Sequence, residues 1–339
     1  MTQVPENYFS LSKDDQIALL ETAASELGQP PDLLEKDIWV VWALNALFDS
    51  SLGESLVFKG GTSLSKAYNA IDRFSEDVDV TYDIRKIIPE LVDGADQALP
   101  PNRSQAGKWS AAIEKLLPEW LDTAVIPIIQ AKIKNEGLSA KLRRVKDKLY
   151  LDYDAVQKGS DYVEPAVLLE FGARSTGEPA ELRDVSCDLE GWNHDISLPR
   201  ARPRVMKAER TFWEKATAIH AYCLRGAFRG GDRYARHWYD LDRLDHVGIG
   251  QDALNDRELA NKVASHKQIF FRETDRAGDV IDYNDAVSGK LCLVPNGTAL
   301  EALRDDYTKM IESGLFQGDV LAFDKLMERL AQLQQRANS

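Results

Sequence analysis

Residues 58–80, FKGGTSLSKAYNAIDRFSEDVDV, carry the most informative pattern in this chain. A short apolar run leads into two glycines, and the predicted helix after them opens with two hydroxyl residues. Glycine lets a backbone approach a phosphate closely, and the first turn of a helix offers unpaired N–H groups. The stretch therefore predicts a phosphate cradle, although such a turn alone is more often only a turn. The cradle residues are Gly60, Gly61, Thr62 and Ser63.

The second half of this stretch places Asp77 and Asp79 two positions apart, alternating with Val78 and Val80. On a strand, alternate residues share a face, so both carboxylates point one way while the valines anchor the strand. Two close carboxylates repel each other unless a cation lies between them, and Mg²⁺ prefers oxygen ligands. The pair therefore predicts a metal site for phosphoryl transfer, and the alternative is an edge strand that faces water.

The rest of the chain predicts an α+β fold with a small mixed sheet, followed by a helical C-terminal domain. Apolar periodicity and turn residues predict these helices in the first part: 12–27, 33–49, 62–70 and 107–134. The predicted strands are 56–58, 78–83, a hairpin within 138–154, and 165–173. The predicted helices of the second part are 207–224, 234–246, 251–271, 299–313 and 319–335. The domain boundary is therefore expected between residues 1–205 and 206–339.

The composition predicts a folded cytoplasmic protein. Hydrophobic residues make up 44% of the 339 residues and charged residues 29%, which argues against disorder. No apolar run approaches the roughly 20 residues of a membrane span, and no signal-peptide pattern is visible at the start. The three cysteines lie too far apart for a CxxC metal site, so we expect reduced thiols.

The charge is spread unevenly along the chain. The net charge of −13 argues against a general coating of nucleic acid. Residues 196–245 nevertheless contain 11 Lys and Arg against 6 Asp and Glu, a local surplus of +5. This asymmetry predicts either one basic surface or ordinary solvated helix faces. The candidate contacts for RNA phosphates are Arg202, Arg204, Arg233 and Arg236.

The order of strand, glycine turn, short helix and Asp-x-Asp strand resembles the DNA polymerase β-like nucleotidyltransferases. The strings KGGTSL (59–64) and RFSEDVD (73–79) resemble one branch more specifically, the AbiEii-type nucleotidyltransferase toxins of type IV toxin–antitoxin and abortive-infection systems. Further segments agree with that branch: EKD (35–37), LLEFGAR (168–174), EKA (214–216) and RHWYDL (236–241). One departure is His237, where many members carry aspartate, and Asp240 is therefore the acidic residue to compare.

The resemblance implies a polymerase β-like domain that transfers a nucleoside monophosphate from an NTP to a hydroxyl. It implies Mg²⁺ or Mn²⁺ at Asp77, Asp79 and Glu170, with Glu170 as a third ligand or as a base. Lys215 would neutralise phosphate charge, Asp240 would position Lys215 or join the site, and the helical domain would complete that site. The implied partners are an RNA acceptor, such as the 3′ end of a tRNA, and a winged-helix antitoxin. Modification of that RNA would arrest growth.

Several of these residues have structural alternatives. Glu170 lies in an apolar run, where a charge is costly unless it is paired, so an arginine partner is the alternative to a metal. Lys215 and Asp240 are otherwise ordinary helix residues. Lys66, one turn into the helix that follows the glycines, is a further candidate for phosphate binding, and Lys36 with Asp37 predicts a structural ion pair under the site. The alternative functions are a degenerate nucleotide- or partner-binding module, and transfer to a protein or a small molecule.

Overall fold

The computed structural model of the protein describes residues 5–157, 164–227, 233–312, 314, 316, 318 and 320–339. The chain divides into two compact units. The first comprises residues 1–67, 76–89 and 111–205, and the second comprises residues 68–75, 90–110 and 206–339. Two segments from the N-terminal half of the chain therefore belong to the second unit.

The first unit opens with an amphipathic helix and an apolar helix. α1 (Lys13–Leu27) begins where the sequence predicts its cap, because the side chain of Ser12 accepts a hydrogen bond from the backbone N–H of Asp15. α2 (Pro31–Phe48) is apolar almost all round, and 14 of its 18 residues are buried. The other helices of the N-terminal half are α3 (Gly60–Lys66), α4 (Ile84–Ile87), α5 (Pro89–Val92), α6 (Arg103–Trp120) and α7 (Ile126–Asn135), with a π-helical turn at Leu121–Val125.

A seven-stranded mixed sheet positions the candidate site of the first unit. The strands of the described chain, of which this sheet contains only some, are β1 (Glu6–Asn7), β2 (Leu56–Lys59), β3 (Asp77–Tyr82), β4 (Ala140–Val145), β5 (Lys148–Tyr153), β6 (Ala166–Gly172), β7 (Ala180–Leu182), β8 (Val185–Ser186), β9 (Ile196–Ser197), β10 (Arg200–Ala201) and β11 (Arg204–Met206). The large sheet has the order β4-β5-β6-β3-β2-β11-β7. β3 is parallel to β6 and β2 is parallel to β11, whereas β2–β3, β4–β5 and β5–β6 are antiparallel. The other four strands pair as β1–β9 and β8–β10.

The two faces of this sheet differ in polarity. Alternate residues on one face, including Val78, Val80, Leu169 and Phe171, are at most 3% exposed. α2 packs against β6. Full burial of each such side chain stabilises the fold by roughly 1.5–3 kcal/mol. Most of the intervening residues of β3, β5 and β6 are half-buried and polar, and this second face carries the candidate site.

The second unit is built mainly from helices. Two fully buried tryptophans fix its interior, since Nε1 of Trp213 donates to the carbonyl oxygen of Ala253 at 2.9 Å and Nε1 of Trp238 donates to that of Leu293 at 2.8 Å. Its C-terminal helices are α8 (Ala208–Arg225), α9 (Arg236–His246), α10 (Ile249–Asn255), α11 (Arg257–Phe270), α12 (Thr298–Glu312) and α13 (Phe323–Ala337).

The predicted fold class is confirmed: a mixed sheet in the first unit and a helical C-terminal region. The sheet is larger than predicted, because β7 and β11 are three residues each and too short to show alternation. The single helix predicted at residues 251–271 is wrong. The chain breaks at Asp256, whose side chain caps α11 by accepting a hydrogen bond from the backbone N–H of Leu259 at 2.9 Å.

Candidate active site

The glycine turn and the aspartate strand meet at Gly60. β2 ends at Lys59, and α3 starts at Gly60 with a φ of +79°. A Cβ atom built at this position would lie 2.1 Å from Oδ2 of Asp79, far inside van der Waals contact. Only glycine therefore accommodates both the left-handed backbone and the neighbouring carboxylate.

The two hydroxyl residues of α3 connect the turn to its surroundings. Thr62 and Ser63 are fully buried. The hydroxyl of Thr62 donates a hydrogen bond to the carbonyl oxygen of Asp77, and that of Ser63 donates to the carbonyl oxygen of Gly60 at 2.9 Å. The first bond attaches α3 to the start of β3, and the second lies within the first turn of α3. The predicted contact of Gly60, Gly61, Thr62 and Ser63 with phosphate stays a prediction.

The alternation predicted around the aspartate pair is present in β3. Val78 and Val80 are fully buried, while Asp77 and Asp79 are half-buried on the opposite face. β3 lies between β2 and β6, so the pair sits within the sheet and not on an edge strand. The structure therefore excludes the edge-strand alternative for these carboxylates.

Glu170 lies on the same face, directly across from Asp79 in the parallel pair of β3 and β6. Its carboxylate forms an ion pair with Lys148, its cross-strand neighbour on β5. The sequence predicts a metal or an arginine as the partner of Glu170 and does not indicate Lys148, because alternation alone does not fix the register between two strands. Arg174 lies beyond the end of β6 and pairs with Glu114 at 3.0 Å.

The three carboxylates differ in how well they suit a metal ion. Asp77 and Asp79 present oxygen donors from one face of one strand, which fits a hard divalent cation. Glu170 is already paired with Lys148. Within the part of the chain that the structure describes, no group of three or more His, Cys, Asp or Glu side chains is arranged to hold a metal. Metal binding by Asp77, Asp79 and Glu170 stays a prediction.

Lys66 belongs to a buried network beneath the turn. Its ammonium group lies 2.5 Å from Asp37 and 2.7 Å from Asp188, and its side chain is 9% exposed. Burial raises the pKa of Asp37 to about 6, although Lys66 opposes this shift. Lys36 and Asp37 therefore do not pair with each other as predicted, since Lys36 binds Glu76 at 2.5 Å. The two pairs hold the end of α3 and the residue before Asp77, and phosphate binding by Lys66 stays a prediction.

In the second unit, Lys215 and Asp240 share a buried network with Arg73. Asp240 accepts two hydrogen bonds from the Arg73 guanidinium, both at 2.7 Å, and its other ion pair is with Lys215 at 2.9 Å. Burial would raise the pKa of Asp240, but Arg73 and Lys215 outweigh it and hold that pKa well below its usual range. Burial also lowers the pKa of Lys215 and of His237, so His237 adds no charge.

Asp240 contacts Lys215, and its predicted role of positioning this lysine stays a prediction. Nothing in the sequence indicates that Arg73 binds a carboxylate 167 residues away. The expectation that Lys215 and Asp240 act with the aspartates of the first unit stays a prediction.

The arginines predicted to contact RNA have other neighbours. Arg202 lies 3.6 Å from Asp184, and a guanidinium N–H of Arg204 donates to the carbonyl oxygen of Glu54 at 2.7 Å. The backbone N–H of Arg233 donates to Asp306 at 2.7 Å, and Arg236 is the first residue of α9. Their predicted contact with RNA stays a prediction, and the local surplus of charge is partly offset by acidic residues of the protein.

The mixed sheet, its glycine turn and the adjoining Asp-x-Asp strand define the class of the protein as a nucleotidyltransferase. The family model described as nucleotidyl transferase AbiEii toxin, type IV toxin–antitoxin system, matches residues 42–329, and the chain belongs to this family. The predicted resemblance is thereby confirmed. Membership identifies a nucleotidyltransferase toxin and implies a nucleotide substrate and an antitoxin partner.

The chain is also similar to a solved structure, MenT4, described as nucleotidyltransferase toxin Rv2826c from Mycobacterium tuberculosis H37Rv. The two are 18% identical over 97% of this chain and 94% of that chain, with a TM-score of 0.49. No curated protein matches this sequence. Among the described residues, no helix is both long and apolar enough to cross a membrane.

Proposed function

We propose that the protein transfers a nucleoside monophosphate from an NTP to a hydroxyl of an RNA, with Mg²⁺ or Mn²⁺ held by Asp77 and Asp79. The acceptor favoured by the resemblance is the 3′ end of a tRNA. The observation that carries the proposal is the close approach at Gly60, where a side chain would collide with Oδ2 of Asp79. The phosphate-binding turn and the metal-binding strand therefore meet at one point.

Different residues of the chain have different roles in this reaction. The N–H groups at the start of α3 bind the phosphates of the NTP, and the two aspartates hold the cation. When bound, the cation offsets the negative charge of the phosphate being transferred. Lys148 orients the Glu170 carboxylate on the same face, where a proton acceptor for the attacking hydroxyl is needed.

The proposed transfer is an in-line displacement, in which one bond to the α-phosphorus forms and another breaks. The hydroxyl oxygen of the RNA forms a bond to the α-phosphorus, and the bond from that phosphorus to the oxygen bridging to the β-phosphate breaks. Pyrophosphate leaves with the electron pair of the broken bond. Glu170, across from Asp79, receives the proton of the attacking hydroxyl.

The test is transfer of α-labelled NTPs to total RNA by purified wild type and by Asp79→Asn. Transfer should disappear in the variant, and EDTA should abolish it in the wild type until Mg²⁺ is restored. Asp154→Asn is a matched control, because it removes a carboxylate of the same unit that pairs with exposed Lys13. Label that persists in EDTA would contradict the metal. Label found only in protein or in small molecules would contradict the RNA acceptor.

A further inference from the structure

The polar face of the sheet contains a row of side chains that leads away from Asp77. Strand register places these residues directly across from one another on four neighbouring strands: Asp77, Leu168, Tyr150 and Arg143. Their sequence neighbours Val78, Leu169 and Leu149 are fully buried on the other face. Adjacent strands are about 4.8 Å apart, so Tyr150 lies roughly 10 Å from Asp77. This distance is comparable to the length of one or two nucleotides.

Tyr150 and Arg143 form a cation–π pair, here called the layered pair, at the outer part of this row. Cζ of Arg143 lies over the Tyr150 ring, 4.1 Å from its centroid, and Asp152 holds the guanidinium at 3.0 Å. The Arg143 side chain remains 51% exposed. A guanidinium held over an aromatic ring offers a base a surface on which to stack and still has N–H groups for phosphate.

Two cations on this face remain accessible to a phosphate. Residues 140–153 contain five Lys and Arg against two Asp, but Arg143, Arg144 and Lys148 each pair with a carboxylate, so the net charge of this surface is smaller than the count suggests. Lys148 lies on the same face, between Glu170 and β4, and its side chain is 42% exposed, while that of Arg143 is 51% exposed. Both cations therefore still present N–H groups to solvent, where a phosphate can bind.

The direction of attack places the acceptor on the side of β3 where β6, β5 and β4 lie. In an in-line displacement, the attacking oxygen and the leaving pyrophosphate lie on opposite sides of the phosphorus. The turn proposed to bind the phosphates follows β2, which neighbours β3 on one side. β6, β5 and β4 lie on the other side, so the acceptor approaches across these three strands.

We propose that Arg143, Lys148, Tyr150 and Leu168, here called the acceptor face, bind the single-stranded 3′ end of the RNA acceptor. A base stacks on the layered pair of Arg143 and Tyr150 beside Leu168, and the cations contact the phosphates on either side of it. Unpaired nucleotides fit this surface because they expose their bases for stacking, whereas a duplex does not. The proposal rests on the proposed function, since it uses the positions assigned there to the phosphates and to Glu170.

The experiment measures binding of a labelled single-stranded RNA oligonucleotide to the full chain, alongside NTP binding by calorimetry. Tyr150→Ala should weaken RNA binding roughly 5- to 150-fold, the range found for loss of one base–aromatic stack. Tyr150→Phe, which keeps the aromatic ring, should bind the RNA as the wild type does. Arg143→Gln should weaken binding and reduce the slope of log affinity against log salt by about 0.7 per lost phosphate contact.

The adjacent residue provides a matched control. Arg144→Gln removes the same charge from the same strand, but Arg144 pairs with Asp122 and is paired in register with buried Leu149. It should leave RNA binding unchanged, and all four variants should keep the wild-type affinity for NTP. Equal effects of Arg143→Gln and Arg144→Gln, or equal binding of duplex and single strand, would overturn the acceptor face.

Failure of the acceptor face can be distinguished from failure of the proposed function. If the wild type labels RNA while Tyr150→Ala and Arg143→Gln bind the oligonucleotide normally, the acceptor face is wrong and the proposed function stands. If the wild type transfers no label to RNA, the RNA acceptor is wrong and the acceptor face falls with it.

Discussion

Replacing Gly60 with alanine tests whether the turn and the aspartate strand form one site. The new methyl group meets two obstacles. An L-residue in the left-handed region costs about 1–2 kcal/mol, and Gly60 has a φ of +79°. The methyl carbon would also lie 2.1 Å from Oδ2 of Asp79, so the carboxylate must move by about 1 Å to reach ordinary contact.

The expected loss of activity is much larger than the loss of stability suggests. A misplacement of about 1 Å in a catalytic group lowers a rate roughly 100-fold, which corresponds to about 2.7 kcal/mol in the barrier. We therefore expect Gly60→Ala to remain folded, to lose about 1–2 kcal/mol in the free energy of unfolding from the backbone conformation and a further amount from the collision with Asp79, and to transfer label to RNA roughly 100-fold more slowly than the wild type.

Gly28→Ala separates the two effects. Gly28 also has a left-handed backbone, with a φ of +69°, but no heavy atom lies within 4 Å of the position of its Cβ. Urea unfolding should show the backbone loss in both variants and a larger total loss in Gly60→Ala, and the transfer assay should show a loss only for Gly60→Ala. If Gly60→Ala retains half of the wild-type rate, or if Gly28→Ala loses as much activity, the turn does not act through Asp79.

Two further predictions concern the second unit. Asp240→Asn leaves two buried cations without their counter-charge and should lower the free energy of unfolding by about 3–5 kcal/mol, whereas Asp324→Asn, from an exposed 2.6 Å pair, should change it far less in the same urea titration. Burial lowers the pKa of His220 to about 4, so the unfolded chain takes up a proton below pH 6.5 while the folded chain does not. The free energy of unfolding should therefore fall by about 1.4 kcal/mol between pH 8 and pH 5.5 on account of this group. His220→Asn, which keeps an acceptor for the backbone N–H of Cys292, should remove that part of the pH dependence, and an unchanged profile would contradict the assignment.

The features that the sequence predicted well depend on neighbours in the chain. Alternation over four residues was enough to place Asp77 and Asp79 on one face, because the side-chain direction of a strand repeats every two residues. The cap at Ser12 and the turn at Gly60 likewise depend only on residues that are close to them in the sequence. The fold class followed from such segments, since their order already separates a mixed sheet from the later helices.

The features that the sequence did not predict depend on contacts between distant segments. The pair of Glu170 with Lys148 requires the register of two strands, and a shift of one residue would turn Lys148 to the other face. The count of basic residues near Arg202 and Arg204 did not show that Asp184 and the carbonyl of Glu54 lie next to them. Charge along a sequence says little about charge on a surface when the partners come from elsewhere in the chain.

The ion pair between Arg73 and Asp240 also fixes when this unit can fold during synthesis. The two residues are 167 positions apart, and ribosomes add roughly 5–20 residues per second, so Arg73 is made about 8–30 seconds before its carboxylate. During that interval the growing chain contains Arg73 but not α9, which carries the Asp240 carboxylate that pairs with it. A message interrupted before the codon for Asp240 therefore yields a polypeptide that lacks the buried network. A cell translating this toxin gene must extend the chain by 167 residues beyond Arg73 before the second unit can form.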